Sequence, residues 1–174
     1  VLLLSYPTLA QVQRHATWTQ SFSKNEVKAG ETLDLIFKAT ITPGWYLYSS
    51  DFDPDLGPTL TEITLTPDAS FEKVGQLKPI NPKKKFEEVW QGNVTYFTGK
   101  AEFRQTVRIL KENPVIKATA SYQTGSEISG LCVLGDNDFV FTGLKVAAAT
   151  TQTGDDKAIV AATTPAGGAG TPAT

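Results

Sequence analysis

The chain has 174 residues, with 16 Lys and Arg against 18 Asp and Glu, one histidine and one cysteine. That length suits one domain with a real core, or a smaller domain with tails. The balanced charge argues against nucleic acid, which needs clustered basic groups to neutralise phosphates. One histidine and one thiol also leave no metal-ligand constellation and no catalytic triad.

The N-terminal VLLLSYPTLAQVQ reads as the end of a secretory signal, an apolar run followed by the small residues of Thr8-Leu9-Ala10. Residues 1–10 are therefore expected to be a signal remnant, with the mature chain starting near Gln11 and exported to the periplasm or beyond. The apolar run is too short to span a bilayer. His15 falls in a segment expected to be loose.

From Ala16 the apolar period is two. Leu33, Leu35, Phe37, Ala39 and Ile41 alternate with polar neighbours, so one face of that strand belongs to a core. Similar runs predict strands over Thr17–Ser23, Trp45–Ser49, Leu60–Thr66, Val89–Phe97, Lys100–Ile109, Val115–Tyr122 and Asp138–Leu144. Thr98-Gly99 marks a hairpin. Strands at this spacing, broken by Gly, Pro, Asn and Asp, predict an all-β, antiparallel immunoglobulin-like sandwich over 16–146. The Trp and Phe residues are core material first.

Three segments between the strands carry charge. Asp51, Asp53 and Asp55 resemble half of a calcium loop but lack its Gly and closing Glu, and read as a solvated acidic loop. Lys83 to Lys85, beside Pro79 and Pro82, read as a solvated basic loop. Asn93-Val94-Thr95 is formally a glycosylation acceptor inside a strand. From Ala147 the composition collapses to Ala, Thr, Gly and Pro, so 147–174 is expected to be a linker or tail that cannot offset its ordering entropy. No metal or cofactor is expected.

Cys132 is predicted to lie in a loop between the last two strands. Its plain reading is a small buried apolar residue, since no neighbouring cation or helix N-terminus is visible to depress its pKa.

In order along the chain, WTQSF, TPGWYLYSS, GPT, KKKFEEVWQGNVTYFTGKAEFRQTV and YQTG…C…DFVF resemble the N-terminal periplasmic domain of the thiol:disulfide interchange protein DsbD family, over about Thr17 to Gly143. The resemblance implies a protein-disulfide reductase module that works through a cysteine pair. Its partner would be a thioredoxin-like domain or a periplasmic thiol protein, and any membrane attachment would lie in a downstream domain. By position, Gly125 stands where the first cysteine belongs and Cys132 near the second, with a spacing that looks long. Leu134 and Gly135 replace the usual prolines. Tyr46 and Tyr48 match aromatic residues beside the cysteines, and Phe86 matches the aromatic that shields them. Thiol–disulfide exchange needs a second thiol to resolve the mixed disulfide. The expectation is therefore a docking or interaction module with Cys132 as its one redox-capable residue. The alternative is an active reductase module, or a one-thiol relay that uses a cysteine elsewhere.

Overall fold

The computed structural model describes residues 13–149. The expected signal remnant, and the expected tail beyond residue 149, lie outside the described residues.

Two antiparallel sheets face each other. In the first, β1 (Ala16–Phe22), β3 (Thr32–Ile41), β9 (Lys100–Ile109) and β6 (Phe71–Pro79) lie in the order β1-β3-β9-β6. In the second, β11 (Cys132–Phe141) pairs with β10 (Ile116–Ser126). On the other side of β10 lie β5 (Glu62–Leu65) and β4 (Trp45–Tyr48); β4 pairs in turn with β8 (Gly92–Thr98), and β8 with β7 (Lys83–Glu87). A short parallel pair, β2 (Glu26–Lys28) with β12 (Lys145–Ala147), clips the end of the domain. The predicted antiparallel sandwich is the fold observed.

Period-two patterning places the core where the sequence puts it. Leu33, Leu35, Phe37, Ala39 and Ile41 of β3 are all buried, as are Ala101, Phe103, Val107 and Ile109 of the neighbouring β9. Burying each large side chain contributes about 1.5–3 kcal/mol relative to leaving it exposed. Trp18 sits at the centre of an aromatic set, with ring centroids 5.2 Å from Tyr122, 5.9 Å from Phe139 and 6.0 Å from Phe103. It therefore ties β1 to strands of both sheets.

Four elements depart from the sequence reading. Lys83–Lys85 are not a loop: they open β7, whose residues pair with β8 from Lys83↔Tyr96 to Glu87↔Gly92. An edge strand buries little and is kept polar to resist further pairing, so its lysines carry no strand signal. β6 is hidden for the same reason. Cys132 is not in a loop either, because it begins β11. His15 is held rather than loose: its ring stacks on Trp45 with centroids 3.4 Å apart, and its carbonyl accepts the Thr42 N–H.

β6 contains a bulge between Val74 and Lys78, with Gly75 at φ 69°. The bulge takes carbonyls out of the ladder, and a fully buried glutamine replaces the missing donors. Gln105 Nε2 donates to the carbonyls of Val74 at 3.1 Å and Gly75 at 3.3 Å. Gln105→Leu would leave those acceptors unpaired. It should lower the unfolding free energy in urea by about 1–3 kcal/mol, whereas Gln76→Leu on the exposed side of β6 should change it by less than about 0.5 kcal/mol.

Candidate functional site

β10 and β11 form a hairpin whose register decides the site. Ser126 closes it: its N–H donates to the Leu131 carbonyl at 2.8 Å, and its hydroxyl accepts from Ser129 N–H at 3.1 Å. Gly130, at φ 68°, makes the left-handed step that returns the chain. With Ser126 and Leu131 hydrogen-bonded, alternation makes the next pair, Gly125↔Cys132, a non-hydrogen-bonded one. Such pairs bring Cα atoms to about 4.5 Å, inside the range a disulfide can bridge. The spacing from Gly125 to Cys132, which looks long in sequence, is the spacing that sets the two positions opposite each other.

The same row runs on into β4 and β8, where Gly125 pairs with Tyr46 and Tyr46 with Thr98. Side chains in one row share a face, so Cys132, Gly125 and Tyr46 all project from the outer face of the second sheet. Tyr48 projects from it one step along β4. There a second, smaller apolar cluster gathers Tyr46, Tyr48 and Val94, with Phe52, Leu56 and Tyr96 against it. The two tyrosine rings meet edge-on at 5.2 Å and their hydroxyls lie 3.3 Å apart.

Tyr46 occupies the space that a side chain at Gly125 would need. A Cβ built there would come within 2.7 Å of Tyr46 Cε2 and closer still to Cζ and the hydroxyl oxygen. Gly125 itself lies outside the left-handed region. The obstacle to a larger residue is thus the far end of one ring and not the main chain.

Lys85 is a member of the site that the sequence reading passes over. Its ammonium lies 4.1 Å from the Tyr46 ring centroid and 4.8 Å from that of Tyr96, and it is paired with Glu87 at 2.5 Å. A cation over aromatic faces contributes about 0.5–2 kcal/mol, depending on desolvation. Strand alternation could have found it, since Lys85 and Phe86 must point to opposite sides. Phe86, paired with Asn93, is 57 % exposed. In this structure Lys85, not Phe86, lies over Tyr46.

Cys132 is exposed and its sulfur has only a long 4.0 Å contact to the Gly130 carbonyl. It is not the buried filler of its plain reading. Exposed apolar side chains flank it on the same hairpin, namely Ile128, Leu131 and Leu134. Of the three acidic residues upstream, Asp51 accepts the Thr95 hydroxyl and Asp53 caps the 3-10 turn Pro54–Leu56 by accepting the Asp55 N–H.

The antiparallel sandwich thus presents one accessible thiol, Cys132, across the ladder from Gly125 and on the same face as Tyr46 and Tyr48. The sequence model of the family described as thiol:disulfide interchange protein DsbD, N-terminal, matches residues 15–144, and the chain belongs to that family. Similar solved structures include the N-terminal periplasmic domain of ScsB from Proteus mirabilis, 16% identical with a TM-score of 0.53 over 82% of this chain and 51% of that one. The reduced N-terminal domain of DsbD from Neisseria meningitidis is 20% identical with a TM-score of 0.46, over 67% of this chain and 80% of that chain. The DsbD N-terminal domain from the same organism, described in complex with the PilB N-terminal domain, is 17% identical with a TM-score of 0.44, over 71% of this chain and 80% of that one. This chain thus spans about half the length of the ScsB structure. No functionally curated protein matches the chain significantly in sequence.

Two outcomes follow from this geometry. Gly125→Cys should form an intramolecular disulfide with Cys132 under mild oxidation, more completely when Tyr46→Ala removes the obstructing ring, as read by free-thiol titration and peptide mapping. Burial and the hydrogen bond to Tyr46 push the Tyr48 hydroxyl far above the usual phenol range near 10. A raised folded-state pKa favours the protonated form, so this stability is fully present below about pH 10 and is lost as pH rises further. Tyr48→Phe removes that share of the loss, and the alkaline unfolding midpoint should move upward by circular dichroism.

Proposed function

We propose that the domain is an exported docking module of a thiol:disulfide interchange system, working in the periplasm and without a complete redox cycle of its own. The observation that carries this reading is the pairing of an exposed Cys132 with a glycine at the cross-strand position where a resolving thiol would stand. The partner class in this reading is a thioredoxin-like domain or a periplasmic thiol protein, which membership of a thiol:disulfide interchange family supports. Ile128, Leu131 and Leu134 give that partner an apolar surface beside the sulfur.

The exposure of Cys132 favours a second reading, a single-thiol relay. Its thiolate can attack a partner disulfide: a new S–S bond forms to Cys132, the partner's S–S bond breaks, and the partner's other sulfur leaves as a thiolate. Reduction of the partner is then half done. Release needs a second thiol to attack the mixed disulfide, and Gly125 provides none. The electrons that complete the exchange must come from a thiol on another domain or protein.

The experiment mixes the domain with an oxidised thioredoxin-like Cys-x-x-C protein and a dithiol donor. The expected result is at most one equivalent of mixed disulfide, no sustained turnover, and non-covalent binding that Cys132→Ser leaves within about twofold. Continuous turnover with the donor that disappears in Cys132→Ser would overturn the docking reading in favour of the relay.

A further inference from the structure

The two sheets part along one side of the sandwich, between β5 and β6, and leave a cleft of about 860 Å³. Both strands end their sheets there, β5 pairing with β10 alone and β6 with β9 alone. The Thr66 N–H donates to the Lys117 carbonyl at 2.9 Å. Ladder alternation then turns the N–H and C=O groups of Ile63 and Leu65 away from β10, where no described strand meets them. The cleft's floor is apolar, from Ile63, Leu65, Phe71 and Leu77. Its walls are acidic. Glu72 is matched by Arg108 at 2.5 Å, but Asp51, Glu62 and Asp68 face only Lys73 among the lining residues.

We propose that this cleft is a docking groove for an extended segment of a partner protein in which apolar and basic residues alternate. An added strand would take up the backbone groups of Ile63 and Leu65, as extended peptides do at open sheet edges. Its side chains would then alternate between two environments. Those turned inward lie over Leu65 and Leu77 and must be apolar. Those turned outward stand beside Glu62, where an opposite charge is favoured across the strands.

Two other occupants match the groove less well. Residues 151–174 of this chain carry Asp155 and Asp156 against the single Lys157, with no alternation. The β7 edge of a second copy offers Lys83, Lys84 and Lys85 in succession, and the last is already paired with Glu87. The groove uses neither Cys132 nor Gly125, so this inference stands or falls apart from the thiol site.

The test titrates the full chain with a labelled peptide of alternating valine and lysine, followed by anisotropy and by backbone amide shifts. Binding is expected to move the amides of Ile63, Leu65 and the Val74 to Leu77 bulge, and to weaken as salt rises. It should fall about tenfold in Glu62→Lys. It should be lost when the peptide's pairing amides are N-methylated. Equal binding of a valine–glutamate peptide, shifts centred away from β5 and β6, or no binding would overturn the proposal. So would concentration-dependent self-association abolished by Glu62→Lys, or tighter binding of a peptide copying residues 151–174.

Discussion

The hydrogen bond from Ser126 N–H to the Leu131 carbonyl closes the hairpin on whose register both the core and the thiol site depend. Together with the buried apolar pattern it holds the β10–β11 register, and through the period of two that register decides which side chains of both strands enter the core and which leave it. Tyr122, Phe139 and Phe141 go inward to Trp18 and Phe37 because Gly125 and Cys132 go outward. A slip by one residue would turn the aromatic set into solvent, at a cost of several large buried side chains. The position of the thiol is therefore protected by the energy of the core, although Cys132 takes almost no part in that core.

Around the thiol the sheet is built in the opposite way. Most β-sandwich outer faces are wet, but here Tyr46, Tyr48 and Val94 are buried on one. Lys85 and Glu87 close over the cluster from the edge strand, the ammonium lying on ring faces while its charge is balanced locally. Gly125 gives this arrangement its room. Without a Cβ there, Tyr46 can lean across the row toward β11, and the aromatic cluster fills what would otherwise be a gap beside the thiol.

How much of this was legible in the sequence depends on where apolar residues alternate. β3, β9 and the inner half of β10 announce themselves, because one face of each is buried and periodicity records burial. β6 and β7 do not, since edge strands carry Lys, Glu, Gly and Pro and are held by pairing that leaves no trace in composition. The sequence pattern points to a loop at Cys132 for a related reason. On β11 between Cys132 and Asp138, the outward residues and Gly135 mask the alternation, and the strand becomes visible only from Phe139 onward. The pairing of Gly125 with Cys132 needed the turn geometry of Ser126 and Gly130, which spacing alone does not give. The bulge bridged by Gln105 is likewise a matter of three dimensions, a polar residue whose partners lie about thirty positions earlier.

The parallel clip of β12 on β2 has a mechanical meaning. Lys145 N–H donates to the Asn25 carbonyl and the Ala147 carbonyl accepts from Ala29 N–H, with the buried Val27 packed beneath. Tension on the chain beyond Ala147 would run along β12 and load these bonds together, in shear. The loop before β3 would bear that load first, while the β10–β11 hairpin with its thiol would stay in register.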